Sequence, residues 1–337
     1  MSAIAAEPMA ARVSASQAET APVLEVSDLR IGFGQGPNLV AVVRDVSFAI
    51  MPGQSMGLVG ESGAGKSITA LGIMRLLPRG ARQLAGTVRL AGRNLTAASE
   101  RDMARLRGDV VGMIFQDPLT SLNPAFSVGR QLTDAIRAHR AVGTSAAMGI
   151  AADLLALVGI TSPRARLASF PHELSGGMRQ RVAIAIAVAC EPKLLIADEP
   201  TTALDVTVQA QVIELLARLK EEINLSLLFI SHNLDLVAEV CDVVSVMYAG
   251  AIVEANRVEA IFGMPRHPYT RELLRCVPRL TDGSGPLPAI PGEPPRMETL
   301  PPGCAFTPRC SQAHHRCRLP PPTVADADGR VCCWLAT

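Results

Sequence analysis

Two segments of this chain set phosphate-handling side chains at telling spacings. Residues Gly60-Glu61-Ser62-Gly63-Ala64-Gly65-Lys66-Ser67 fit G-x-x-x-x-G-K-[ST], with an apolar strand before them and a helical pattern from Ile68 after them. Glycines at these positions let backbone N–H groups close around phosphates, and the helix start adds partial positive charge. Lys66 is placed to reach β- and γ-phosphates, and the Ser67 hydroxyl to ligate Mg²⁺. The second segment, Leu194-Leu195-Ile196-Ala197, delivers Asp198 and Glu199 at the end of an apolar strand. Open parallel sheets bind ligands at that edge. Asp198 suits the Mg²⁺ shell, and Glu199 can act as general base on a water in line with the γ-phosphate.

Each segment has a plainer reading, a glycine turn before a helix and an acidic pair facing solvent. Their joint occurrence weighs against both. Gln116 and His232 also follow apolar strands, at residues 110–115 and 227–230. A polar group there can sense the γ-phosphate by hydrogen bonding, although a lone histidine is more often structural and a lone glutamine generic. Ser175-Gly176-Gly177 opens a helix and is itself an anion-binding device, with Ser175 also serving as helix cap.

The elements that must position these groups alternate in type. Strands are expected from residues 24–26 onward and over 39–50, 55–59, 87–90, 109–115, 194–197 and 226–230, with a hairpin of 243–248 and 251–254 around Gly250. Helices are expected over 68–77, 176–189 and 206–222, and over 128–140 and 146–158 within a helical insertion. Such alternation implies a mainly parallel sheet covered on both faces. Residues 1–21 read as a disordered extension rich in Ala and Ser, and 278–302 as a Pro/Gly linker into a Cys-rich tail.

Composition excludes some partners. Lys+Arg 32 against Asp+Glu 31 leaves net charge +1, which gives no whole-chain case for nucleic acid. Aromatics at 3% argue against a stacking surface, while 48% hydrophobic residues over 337 positions supply a substantial core. No run of about 20 apolar residues is present, so no transmembrane helix is expected. The N-terminus has no secretory pattern, so the chain is expected in the cytoplasm.

Cys190, Cys241 and Cys276 sit among apolar neighbours as core thiols. Cys304, Cys310, Cys317, Cys332 and Cys333 crowd the tail, the first three spaced C-x5-C-x6-C. Four thiolates suit tetrahedral Zn²⁺ or a [4Fe–4S] cluster. The spacing has neither zinc knuckles nor a common ferredoxin run, so cluster, zinc, and no metal or an occasional disulfide all stay open. His314 and His315 are alternative ligands, or solvated loop residues.

The set of motifs resembles the ATPase subunit of an ABC transporter. Residues 60–67 match its Walker A loop, 194–199 its Walker B strand, Ser175-Gly176-Gly177-Met178-Arg179-Gln180 its signature, Gln116 its Q-loop, Ala203-Leu204-Asp205 its D-loop and His232 its switch histidine. Phe33 matches the aromatic that stacks on adenine. Residues 115–124 (Phe115-Gln116-Asp117-Pro118-Leu119-Thr120-Ser121-Leu122-Asn123-Pro124) and 266–274 (Arg266-His267-Pro268-Tyr269-Thr270-Arg271-Glu272-Leu273-Leu274), with the Cys tail, resemble the oligopeptide/dipeptide/nickel importer group.

The resemblance implies an α/β P-loop NTPase (RecA-like) core with an antiparallel β-subdomain, a helical subdomain and a small Cys-rich C-terminal extension. The implied division is 1–22 disordered, 23–265 ATPase domain with its helical subdomain near 117–175, and 266–337 extension. It implies ATP and Mg²⁺ as ligands, with Ser67, Gln116 and Asp198 around the metal and Lys66, Glu199 and His232 catalytic. It also implies a second ATPase subunit in a heteromeric pair, so that Ser175, Gly176, Gly177 and Asp205 close on the partner's ATP. Two transmembrane permease subunits and an extracytoplasmic substrate-binding protein complete the expected assembly. Its cargo would be peptides, or alternatively nickel or another small solute, and its place the cytoplasmic face of the bacterial inner membrane. A soluble ABC ATPase acting on DNA or ribosomes is disfavoured, since no coiled-coil insertion or second cassette is present. Some members carry a [4Fe–4S] cluster in the tail, which implies Cys304, Cys310, Cys317 and Cys333 as ligands, with Cys332 the alternative fourth.

Overall fold

The computed structural model describes residues 21–117, 121–202, 204–277, 289–326 and 329–336. Residues 1–20 of the expected extension, Pro118, Leu119 and Thr120 of the Q-loop segment, Ala203, and 278–288 of the linker lie outside that set. The strands are β1 (Leu24–Phe33), β2 (Val40–Ile50), β3 (Ser55–Val59), β4 (Ala81–Leu90), β5 (Arg93–Asn94), β6 (Val111–Ile114), β7 (Leu194–Asp198), β8 (Ser226–Ser231), β9 (Val243–Tyr248), β10 (Ala251–Arg257), β11 (Thr323–Asp326) and β12 (Gly329–Cys332). The main helices are α1 (Lys66–Ile73), α2 (Glu100–Asp109), α3 (Val128–His139), α4 (Thr144–Leu157), α5 (Gly176–Ala187), α6 (Val206–Glu222), α7 (Leu234–Val240), α8 (Val258–Gly263) and α9 (Pro268–Arg275).

Among the described residues the strands form two sheets. One is antiparallel, in the order β2-β1-β4-β5; the other runs β11-β12-β10-β9-β3-β8-β7-β6. From β9 to β6 the second sheet is parallel throughout. Strands β3, β7 and β8 are buried along their whole length, which is why they read as continuous apolar runs rather than alternating ones.

Alternation still decides which layer each side chain joins. Leu194, Ile196, Leu228 and Ile230 share a core with Leu24, Leu29, Ile31 and Val43 of the antiparallel sheet. Leu195, Ala197, Leu227 and Phe229 point the other way, into a core with Val182 of α5 and Val212 and Leu219 of α6. Each such fully buried aliphatic side chain contributes about 1.5–3 kcal/mol. The sheet is thus clamped between two cores, and its C-terminal edge is held rigidly.

Several sequence expectations need correction. The helix expected over 68–77 begins at Lys66 and ends at Ile73, because Gly65 at φ +100 caps it two residues earlier. The strand expected over 87–90 extends back to Ala81. Strands β5, β11 and β12 and helices α2, α7, α8 and α9 were not expected. The tail continues the main sheet, with β12 pairing antiparallel to β10 through Glu254–Val331 and Ala255–Arg330. No single helix among the described residues is long and apolar enough to cross a membrane.

Candidate active site

The ends of β3, β6, β7 and β8 converge on one edge of the parallel sheet. Residues 60–67 leave β3 and turn into α1. Gly60 sits at φ +151, and a Cβ there would lie 2.1 Å from the Met247 carbonyl oxygen, so the loop can leave the strand at this angle only with glycine. Lys66 is buried. Its Nζ donates to the carbonyls of Gly60 at 2.8 Å and Glu61 at 3.0 Å. Desolvation pushes its ammonium below the ordinary value, against the pull of Glu199, Asp198 and Glu61.

The Ser67 hydroxyl donates to Asp198 Oδ1 at 3.0 Å. Burial pushes the Asp198 carboxyl up to about 6; the Ser67 bond opposes this, and the nearby charge of Glu199 adds to it. A buried carboxylate so short of compensation beside a hydroxyl is a donor set that a divalent cation satisfies, and Ser67 and Asp198 fit Mg²⁺. Gln116, exposed at the end of β6, points its amide at Glu199 instead: Nε2 donates to Oε2 at 2.9 Å.

Glu199 carries the densest set of contacts. It sits at φ +47, a left-handed conformation that a non-glycine residue holds only under constraint. The constraint is visible: its backbone N–H donates to Ile230 O at 2.9 Å. Its carboxylate accepts from Gln116, from the Thr202 hydroxyl at 3.0 Å, and faces His232 Nδ1 at 3.2 Å. Burial pushes this carboxyl up, but hydrogen bonds from His232 and Thr202 and the charges of His232 and Lys66 outweigh it, leaving it below the usual range. The result is an ionised carboxylate at the end of β7, met by side chains that follow β6 and β8.

Phe33 ends β1, half buried, opposite Val40 and Ala81. Ser62 and Gly63 are exposed on the loop, Ala64 is buried and Ile68 half buried. Ser175 accepts from Met178 N–H at 3.3 Å and so caps α5, and Asp205 accepts from Val208 N–H at 2.9 Å and caps α6. Gly176 and Gly177 form the first turn of α5.

Three partners escaped the sequence reading. Thr202 has no pattern beyond a turn residue. Tyr269 lies in the quoted segment 266–274 but gave no sign that its hydroxyl would meet Glu61. Arg309 is a basic residue inside a cysteine-rich loop with no periodicity.

In the tail, Cys304, Cys310, Cys317 and Cys333 line one small recess with His267, Phe306 and Trp334. Cys332 is not among the lining residues, and its Sγ contacts Pro321 O at 3.7 Å and Thr323 Oγ1 at 3.8 Å. All these thiols are free. Burial pushes those of Cys304, Cys310 and Cys333 up. Among the described residues, no group of three or more His, Cys, Asp or Glu comes together as a single metal ion requires. His314 and His315 meet edge to face and do not line the recess.

His267 Nδ1 accepts from Tyr269 N–H at 3.0 Å. Burial lowers its pKa to about 4, so the ring is neutral and its hydrogen is on Nε2. That Nε2 is buried without a partner among the described residues. The recess thus brings four thiols and one unpartnered N–H donor to the same wall.

A glycine loop at a helix start, a buried strand-end carboxylate bonded to the Ser67 hydroxyl and an ionised carboxylate beside them are the arrangement of a P-loop ATPase. A family model described as ABC transporter matches residues 43–202, and one described as oligopeptide/dipeptide transporter, C-terminal region, matches 253–317. A putative peptide import ATP-binding protein of Brucella melitensis is 47% identical over 319 residues, covering 91% of this chain and 94% of that protein. The chain belongs to the ABC transporter ATPases, in the group that carries the oligopeptide/dipeptide C-terminal region.

A second putative peptide import ATP-binding protein, of Brucella ovis, is 46% identical over the same 319 residues, with the same 91% and 94% coverage. Two solved structures share the fold. A dimeric ATP-binding cassette in a post-hydrolysis state bound to ADP and Pi aligns with TM-score 0.63 and 23% identity, over 70% of this chain and 98% of that one. CbiO1 of Clostridium perfringens aligns with TM-score 0.62 and 24% identity, over 72% and 91%.

Proposed function

We propose that this chain hydrolyses ATP to drive peptide import across a bacterial inner membrane, as a peripheral subunit on the cytoplasmic face. The observation that carries the chemistry is the Glu199 carboxylate, held ionised by His232 and Thr202 and touched by Gln116 beside the Lys66–Ser67–Asp198 cradle. The cargo rests on the C-terminal region at 253–317 and on the names of the relatives.

Residues 60–67 receive the phosphates of ATP. Lys66, freed from the Gly60 and Glu61 carbonyls, neutralises the β- and γ-phosphates. Ser67 and Asp198, joined by Gln116 once its amide leaves Glu199, would hold Mg²⁺, which would neutralise charge on the transferring phosphoryl group. Glu199 orients the attacking water and takes its proton, and His232 addresses the γ-phosphate. Phe33 stacks on the adenine.

Ser175 and Asp205 cap their helices and Gly176 and Gly177 form the first turn of α5, and these helix starts present N–H groups to the ATP of a second ATPase subunit in a heteromeric pair. Two transmembrane permeases receive the resulting closure near Gln116, and an extracytoplasmic binding protein delivers the peptide. In the tail, Cys304, Cys310, Cys317 and Cys333 hold a [4Fe–4S] cluster, with His267 Nε2 donating to it. The unpartnered donor in the thiol-lined recess supports this reading.

The test is uptake into vesicles that hold the assembled transporter. ATP-dependent accumulation of peptides, abolished by Glu199→Gln, is expected. Uptake of nickel with no uptake of peptides would overturn the cargo, and accumulation without ATP turnover would overturn the role.

A further inference from the structure

Glu61, the second residue of the phosphate loop, is fixed at three separate points. Its N–H donates to the Tyr269 hydroxyl at 2.9 Å. Its carbonyl accepts from Lys66 Nζ at 3.0 Å. Its carboxylate takes a two-pronged grip from Arg309, with Nη1 to Oε2 at 2.7 Å and Nη2 to Oε1 at 3.0 Å, across 248 positions of sequence. Tyr269 stands in α9 and Arg309 in the tail, both outside the segment that builds the nucleotide core.

The gripping side is built rather than incidental. The Arg309 side chain is 3% exposed. Its remaining donors are also spent, with Nε on Pro291 O at 2.9 Å, Nη1 on the Tyr248 hydroxyl at 3.3 Å and Nη2 on Ile290 O at 3.3 Å. The fully buried Phe306 packs edge-on against both Tyr248 and Tyr269, with ring centroids 5.2 and 5.3 Å away. A planar guanidinium with every N–H engaged cannot drift, and a bidentate pair transmits orientation as well as charge.

We propose that Arg309 and Tyr269 are positioning residues for the phosphate loop. The C-terminal extension holds Glu61 in place, and through its carbonyl it sets where Lys66 waits before ATP arrives. Neither residue touches nucleotide; both act through Glu61. An untethered loop would have to be ordered by the nucleotide itself, and the cost would appear as lost affinity. The proposal rests on residues 60–67 being the phosphate cradle.

The experiment measures Mg-ATP and Mg-ADP binding to the full chain by calorimetry, with KM and kcat of the assembled transporter. Lys66→Ala tests the cradle itself; if that variant binds like the wild type, the cradle reading fails independently of the tether. Arg309→Ala should weaken binding of both nucleotides about tenfold, which corresponds to about 1.4 kcal/mol, with the loss in KM rather than kcat. Arg309→Lys should recover part of it.

Glu61→Gln is the sharper arm. Removing a negative charge beside a phosphate site strengthens ATP binding by simple electrostatics, whereas loss of positioning weakens it. Because it leaves the buried guanidinium in place, it also serves if Arg309→Ala does not fold. The double variant should bind no worse than the weaker single one. Wild-type affinity in Arg309→Ala, tighter binding in Glu61→Gln, or additive losses in the double variant would overturn the proposal.

Discussion

Ser67 and Asp198, 131 positions apart, are joined by a 3.0 Å hydrogen bond between hydroxyl and carboxylate. The bond ties the first turn of α1 to the end of β7. It also gives the carboxylate one polar partner at a place where burial has removed its water, and that partner does not offset the desolvation.

A pH dependence follows from this. The folded pKa of Asp198 is raised from 3.8 to about 6, so the folded state favours the protonated form. The contribution of this group to stability is therefore present in full below 3.8 and is lost as pH rises through about 6, a loss of about 3 kcal/mol above that point. Asp198→Asn should stabilise the nucleotide-free chain at about pH 8 and give little at about pH 4. Mg²⁺ needs the ionised carboxylate, so metal affinity should fall as pH drops below about 6. Thermal unfolding and Mg²⁺ titration across this range check both. An Asn variant that is less stable at the higher pH would contradict the desolvation account.

Glu199→Gln should keep nucleotide binding and lower turnover by about 10²–10⁴-fold. The amide preserves the shape of the carboxylate but replaces one acceptor oxygen with a donor, facing three groups that now supply hydrogens. Phosphate release under single-turnover conditions separates this from a binding defect. Turnover within a few fold of wild type would remove Glu199 as the base.

Legibility of these features in the sequence followed how local their causes are. The glycine loop, β7 and β8 were plain, because a strand buried on both faces must be apolar throughout, and a phosphate loop needs its glycines in fixed register. Strand β4 was recognised only at 87–90, since Arg82 and Gln83 sit in a sheet with one wet face and carry no apolar run. Strand β12 is four residues long, and it is a strand because β10 offers it an edge. The Glu199 contacts combine both cases. Gln116 and His232 follow recognisable strands, whereas Thr202 depends on the turn that holds Glu199 at positive φ. The Arg309–Glu61 pair joins distant segments with no shared period, and only the packed structure brings them together.

The four thiols of the recess and the fifth beside it make opposite predictions. Cys333→Ser should lower iron content and visible absorbance of anaerobically purified protein, because Cys333 lines the recess. Cys332→Ser should leave both unchanged, because Cys332 does not line the recess and its sulfur is engaged by Pro321 O and Thr323 Oγ1. Zinc in place of iron, or iron lost equally in both variants, would refute the assignment of ligands.

Phe306→Ala tests whether the tail is part of the ATPase body. The ring is 1% exposed and lies against Tyr248 from β9 and Tyr269 from α9. Truncating a buried Phe costs about 3–5 kcal/mol, from lost transfer energy and the cavity left behind. If the tail folds as one unit with the main sheet, unfolding should stay a single transition at lower temperature. If it is a loosely attached module, the tail should melt first and the core at its wild-type temperature. The pairing of β12 with β10 and the Arg309–Glu61 bond both require the single transition. Calorimetry that resolved two transitions in the wild-type chain would show that these contacts do not couple the tail to the core.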